Sequence, residues 1–200
     1  MLNGVSHDLR TILTRFRLSL EMAEENPELE ALKKDVDEMS RMLEGYLAFA
    51  RGDVVEAAER VSLRDLLVEL KADGERQGHP TTIEISGDPV VTIRRDAIKR
   101  CLVNLLNNAV RHGDRIALSA MLDGRWVLFH IDDDGPGIPF ERRDDVFRPF
   151  YRLDEARNID EGGSGLGLAI ARDIARSHGG DVMLLDSPLG GLRATVRVPV

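Results

Sequence analysis

Two hundred residues, 42% of them hydrophobic and 31% charged, are enough to bury one good core and leave a smaller second unit. A formal charge of −8 excludes a broad nucleic-acid or anionic-membrane surface, which would need a basic field, so any phosphate must be met locally. One cysteine, Cys101, set in the apolar stretch from Ile98 to Leu106, excludes a disulfide framework or a paired-cysteine metal site; no run reaches the ~18 apolar residues of a membrane span, and no signal peptide opens the chain.

The first fifty residues carry a heptad pattern. Leu2, Val5, Leu9, Ile12 and Phe16 recur at alternating steps of three and four, with Leu13, Leu20 and Ala23 continuing the stripe; Leu29, Leu32, Val36, Met39, Leu43, Tyr46 and Ala50 repeat it. The break between them, Glu25-Asn26-Pro27-Glu28, is short and holds a proline, so two amphipathic helices turn back as an antiparallel hairpin. Two such helices cannot bury their seams alone, and the expected state is a homodimer with a four-helix bundle. Placing Leu2 and Leu9 at heptad position a and Val5 at d puts His7 at f, facing outward. Thr11 lies one turn on along the same face, and Asp8 follows His7 about 100° round the helix.

Gly52-Asp53 caps the second helix and opens a polar connection running to Arg60. Beyond it the pattern predicts a helix over 62–77, strands near 82–86 and 90–94, a long helix over 95–112, and strands near 115–121 and 126–133. A loop-rich lid, a helix over 165–178 and strands near 181–186 and 192–199 complete the chain. Hairpin turns such as Asp123-Gly124 favour an α+β sandwich over a doubly wound parallel sheet.

Four clusters in this second unit carry chemistry. Asn104 and Asn108 stand one helical turn apart with Arg111 close by, so amide oxygens and a cation can meet one polyphosphate and its Mg²⁺; the plainer alternative is asparagines solvating a helix face. Asp132-Asp133-Asp134-Gly135-Pro136-Gly137 follows a strand directly. Three adjacent acids repel one another if buried, so most should be solvated, while one can accept a hydrogen bond from an exocyclic amine and the glycines admit a flat base. Phe147-Arg148-Pro149-Phe150-Tyr151-Arg152 gathers much of the sparse aromatic content, as a lid anchored by two rings would. Finally, Gly162-Gly163-Ser164-Gly165-Leu166-Gly167-Leu168 runs into an amphipathic helix, where freed backbone N–H groups favour an anion. It lacks the Lys-Ser/Thr of a P-loop and the strand context of a dinucleotide fingerprint.

In this order and at these spacings the clusters resemble the sensor histidine kinases of two-component systems, over nearly the whole chain. His7 to Thr11 looks like the H box, Asn104 to Arg111 the N box, Asp133 to Gly137 the G1 box, Phe147 to Phe150 the F box, and Gly163 to Gly167 the G2 box. The continuation after the histidine is similar to the EnvZ-like subfamily.

The resemblance implies a Bergerat-type α/β sandwich that binds ATP, preceded by a helical hairpin for dimerisation and phosphotransfer: hairpin over 1–52, linker over 53–61, ATP-binding domain over 62–200. It implies His7 as phosphoacceptor, Asp8 as the acid that steers the imidazole and takes its proton, and Thr11 as the residue orienting a water in phosphatase action. Asn108, and secondarily Asn104, would serve Mg²⁺; Asp133 would bind the adenine amine beside Gly135 and Gly137; Arg111 and His112 would lie along the nucleotide. Phe147, Phe150, Arg152, Gly163, Gly165, Leu166, Gly167, Leu168 and Thr195 complete the implied nucleotide set. The implied activity is autophosphorylation of His7 and transfer to an aspartate of a response-regulator receiver domain, with phosphatase activity toward that partner. No nucleic acid and no membrane contact are expected of this stretch, a cytoplasmic part of a protein whose full length sits in a bacterial inner membrane.

Chemistry agrees with that assignment. Neutral imidazole is a competent nucleophile near pH 7, and a carboxylate at its other nitrogen fixes which nitrogen attacks. ATP-hydrolysing relatives of the fold use a glutamate where this chain has Asn104, and an amide cannot act as a general base. One departure is Ile12, where the family usually has a proline. Isoleucine keeps the helical N–H that proline would remove, so a straighter reactive helix is expected. The chain begins six residues before His7 and shows no sensor or signal-relay segment, which leaves the input signal unreadable. Two rival readings are a non-catalytic phosphotransfer or dimerisation module with a degenerate ATPase-like domain, and an ATP-hydrolysing clamp.

Overall fold

Alternation of apolar and polar residues builds the sheet at the centre of the molecule. In a computed structural model, described for residues 12, 14–16, 18–22, 29, 32, 33, 36, 39, 56–153 and 165–200, the strands are β1 (Glu59–Ser62), β2 (Thr81–Ile85), β3 (Val90–Ile93), β4 (Ile116–Asp123), β5 (Trp126–Asp133), β6 (Asp181–Asp186) and β7 (Leu192–Pro199). The helices of this region are α1 (Leu63–Arg76), α2 (Arg95–His112) and α3 (Gly167–Ser177), with single 3₁₀ turns at Phe140–Arg142 and Asp145–Phe147. Five strands form a mixed sheet in the order β2-β4-β5-β7-β6, parallel between β2 and β4 and antiparallel elsewhere. Val127, Phe129 and Ile131 of β5 and Ala194, Val196 and Val198 of β7 point to one face, where they are buried with Leu66, Leu70, Ile98, Leu102, Leu105 and Ile174 of the three helices. The result is the expected α+β sandwich, helices on one side and an open sheet face on the other.

Helix α1 starts for a local reason. Ser62 caps α1, its Oγ accepting from Asp65 N at 3.1 Å and donating to Asp88 at 2.9 Å. Glu69 of α1 ties to α2 through Arg95 and through Lys99 at 2.7 Å; the Lys99 hydrogen bond above all holds its carboxyl below the usual range. Cys101 is fully buried on α2, its thiol pushed up to about 12 by that burial and donating to Ala171 O of α3 at 3.3 Å. It is a structural thiol.

Two local expectations change. Glu59–Ser62, read as connection up to residue 61, is strand β1, paired antiparallel with β3 from Glu59 opposite Ile93 to Ser62 opposite Val90. Four residues with a single apolar side chain give too short an alternation to read without the partner strand. The pair of anchoring rings becomes one: Phe147 packs against the core under Arg172, whereas Phe150 is 52% exposed.

In the hairpin, the described residues 12, 14–16 and 18–21 are helical, as are 29, 32, 33, 36 and 39. Of its seam positions, Leu29 and Val36 are buried, while Ile12, Phe16, Leu32 and Met39 stay about half exposed. Among the described residues no helix is long and apolar enough to cross a membrane.

Candidate nucleotide site

The three consecutive acids at the end of β5 are not solvated as expected. Asp132 and Asp133 are each 3% exposed and Asp134 is half-buried, because each carboxylate has its own partner. Asp132 forms a two-pronged pair with Arg193 of β7, at 2.8 and 2.9 Å. Asp134 accepts from the backbone N–H groups of Asp114 and Arg115 and from Arg115 Nε at 2.7 Å. The Arg115 backbone and side-chain donors hold its carboxyl down to about 2. Stability from this group is therefore present above 3.8, the ordinary value, and is lost as pH falls through about 2. Asp134→Asn is expected to flatten the acid-unfolding profile across that window; an unchanged profile would deny the carboxylate a part in acid stability.

Asp133 alone turns to the helix side of the sheet end. Its Oδ1 accepts from Gly135 N at 2.9 Å and Leu192 N at 3.0 Å, and Oδ2 has no protein hydrogen bond among the described residues. Burial pushes the carboxyl up, against the pull of those two backbone donors. Chain packs close around it. A Cβ on Gly135 would stand 2.4 Å from His112 O, and one on Gly191 would stand 2.4 Å from Asp133 Oδ1. Gly191 is a space requirement of the carboxylate, and Gly135 is first of all a space requirement of the backbone at the end of α2. Gly191 was not singled out by the sequence pattern, since its partner lies 58 residues away on another strand.

Helix α2 ends beside this cradle. Its last residues Arg111 and His112 are exposed, and Asn104 and Asn108 are half-buried on the turns before them. The Asn104 amide nitrogen donates to Arg100 O at 2.9 Å, and its Oδ1 lies 3.7 Å from where a Cβ on Gly167 would stand. The oxygen is thus oriented toward the first residue of α3. Asn107 differs: its oxygen accepts from Gln77 Nε2 at the end of α1. At the start of α3 the N-cap residue, Leu166, makes no side-chain cap hydrogen bond, and among the described residues no side chain accepts from the first backbone N–H groups of the helix. Leu166 is buried in the core and Leu168 packs against it, which sets Gly165 and Gly167 in place.

The aromatic cluster meets the same end of α3. Phe150 N donates to Gly165 O at 3.0 Å, and Gly165, at φ 65°, could carry no Cβ, which would stand 2.8 Å from Phe150 Cα. Phe150 itself takes φ 65°, uncommon for a bulky residue. Arg172 of α3 stacks its guanidinium 4.2 Å from the Phe147 ring centroid while pairing with Asp181 at 2.8 Å and Asp144 at 3.6 Å. Arg143 anchors the preceding turn through Ile138 O, Leu184 O and Asp186. Neither arginine stood out in the sequence, because each acts through partners remote in the chain. Arg152 is exposed next to this cluster.

Thr195 does not join the site. It faces the open side of the sheet, opposite to Asp133, with Oγ1 2.9 Å from His130 Nδ1. Strand alternation is the reason: its register partner is His130, three residues and one face away from Asp133. His7, Asp8, Thr11 and Gly163 lie outside the described residues, as does the turn where the missing proline would act; Ile12 itself is helical.

Residues 93–200 match the family model for histidine kinase-, DNA gyrase B- and HSP90-like ATPases, and residues 1–54 match the His Kinase A phospho-acceptor domain. The chain is 38% identical over 200 residues to the sensor histidine kinase GtrS of Pseudomonas aeruginosa, covering all of this chain and 41% of that protein. It is 34% identical over 212 residues to the sensor histidine kinase CpxA of Escherichia coli K12, covering all of this chain and 46% of that one. It spans less than half the length of these relatives. Among solved structures it resembles full-length ShkA in complex with AMPPNP, with TM-score 0.76 and 25% identity over 99% of this chain and 45% of the other. It also resembles the ATP binding domain of PrrB from Mycobacterium tuberculosis, with TM-score 0.60 and 30% identity over 71% of this chain and 96% of that domain. With both regions matched and whole-chain identity at this level, the chain belongs to the sensor histidine kinases of two-component systems.

Proposed function

We propose that this chain is the ATP-dependent autokinase core of its protein, phosphorylating His7 and passing the phosphoryl group to an aspartate of a response-regulator receiver domain, and removing it again as a phosphatase. The observation that carries the reading is Asp133: a buried carboxylate with one oxygen engaged by two backbone donors and the other left to accept, a fit for the amine of adenine. Asn108 and Asn104 supply hard oxygens for Mg²⁺. Among the described residues no group of three or more His, Cys, Asp or Glu could hold a metal, so the cation would depend on these amides, phosphate and water. When bound, it neutralises charge on the phosphates.

In the reaction this chain's own residues align and hold. Asp8 keeps the proton on one imidazole nitrogen of His7 so that the other attacks the γ-phosphorus of ATP, and takes that proton as the P–N bond forms and the bond to the β–γ bridging oxygen breaks, with ADP leaving. The backbone N–H groups at the start of α3, near Gly165 and Gly167, offer donors to phosphate oxygens. Asn104 provides no base for water, which favours transfer over hydrolysis. Asp133, Asn104, Asn108 and these two glycines speak against a degenerate ATP domain.

The half-exposed seam residues Ile12, Phe16, Leu32 and Met39 support a homodimer through the hairpin. We assign the chain to the cytoplasmic side of a full-length protein in the bacterial inner membrane. The direct test is incubation with γ-labelled ATP and Mg²⁺: an acid-labile, base-stable label on the protein is expected. Release of labelled inorganic phosphate with no protein label would overturn the reading in favour of an ATP-hydrolysing clamp.

A further inference from the structure

The first backbone N–H groups of a helix need acceptors, and the residue that should provide one for α2 does not: Arg94 makes no side-chain cap hydrogen bond. The acceptor comes from 40 residues upstream. Glu56 Oε1 accepts from Asp96 N at 2.7 Å, and Oε2 accepts from Ala97 N at 3.0 Å. A carboxylate here satisfies two donors at once and complements the positive end of the helix.

Where Glu56 sits gives the contact its meaning. The phospho-acceptor match ends at residue 54, and from Glu59 onward β1 pairs with β3, the strand that leads through Arg94 into α2. The chain leaving the hairpin is therefore fastened twice in succession to one continuous element, and that element carries Asn104 and Asn108. Resting on the autokinase reading above, we propose that Glu56 is a positioning residue for phosphoryl transfer, a clip that makes the asparagine-bearing helix follow the end of the phosphoacceptor hairpin. Without it, residues 56–58 become free tether ahead of β1. A longer tether spreads the nucleotide site over a larger volume and lowers its effective concentration at His7. Nucleotide binding does not need the clip, since Asn108 lies about 18 Å along the helix from Asp96.

The test compares Glu56→Ala, Glu56→Gln and His7→Gln with the unmodified full chain. For Glu56→Ala the autophosphorylation rate at saturating Mg-ATP is expected to fall roughly three- to tenfold, with KM for ATP within roughly twofold. Amide exchange should quicken at Asp96 and Ala97 while Leu105 to Ala109 keep their protection. Glu56→Gln retains one acceptor oxygen and should fall between. A Glu56→Ala rate equal to wild type overturns the clip. So does a parallel loss of rate, ATP affinity and protection along all of α2, which would make Glu56 only a helix cap. Label persisting in His7→Gln overturns His7 as the phosphoacceptor and the clip with it, whereas a silent His7→Gln beside a wild-type Glu56→Ala overturns the clip alone.

Discussion

Asp133→Asn is expected to weaken ATP binding by about 10- to 150-fold, the equivalent of the 1.5–3 kcal/mol of one charge-assisted hydrogen bond, while leaving GTP binding nearly unchanged. The substitution is selective because of the cradle. The asparagine oxygen can still accept from Gly135 N and Leu192 N, so the backbone around the site keeps its partners. What changes is the other position, where an oxygen able to accept from an amine is replaced by a second donor. Two donors facing each other lose the bond and repel. Equal losses for the two nucleotides, measured by titration calorimetry, would show that Asp133 shapes the pocket and does not read the base. Because burial pushes the carboxyl up, the preference for ATP is also expected to fade on acidification sooner than an exposed aspartate would allow.

His7→Gln is expected to abolish acid-labile labelling from γ-labelled ATP while ATP affinity stays at the wild-type value. The four other histidines have engagements or positions that disqualify them. His130 is half-buried with its Nδ1 against Thr195, and burial pulls its pKa down. His178 has Nδ1 2.7 Å from Ile174 O, and its Nε2 is buried with no hydrogen-bond partner among the described residues. His79 precedes Pro80 in a loop, and His112 ends the helix that carries the asparagines. Residual label in the variant, mapped to another histidine by peptide analysis, would reassign the phosphoacceptor. Loss of label together with loss of ATP affinity would point to a folding defect, a distinction that circular dichroism of the same sample makes.

Much of this protein was legible in one dimension because its signals are local. The long helix over 95–112 and the strands over 126–133, 181–186 and 192–199 agree with the expected limits, since each is a run of strong periodicity bounded by glycine, proline or a hairpin turn. The order of the boxes was enough to expect an ATP-binding sandwich behind a phosphoacceptor hairpin. Short elements were harder. β1 exists only because β3 lies beside it.

The chemistry divides in the same way. The sequence by itself determined which residue types were available: a histidine followed by an acid, asparagines one turn apart, an aspartate before two glycines, and a glycine run entering a helix. Only the tertiary structure decided how they are used. Three adjacent acids look alike in sequence, yet strand alternation and three separate sets of donors make Asp132 an ion-pair partner of Arg193, Asp134 a cap for the loop at Arg115, and Asp133 the one with an oxygen to spare. The same alternation turns Thr195 away from the site. Gly191, Arg172 and Glu56 gain their roles from neighbours 58, 25 and 40 residues distant, Asp133, Phe147 and Asp96 in turn. Periodicity reports only the face a residue shares with near neighbours, whereas a cradle, a stacked guanidinium or a cap supplied from afar depends on which segments the core brings together.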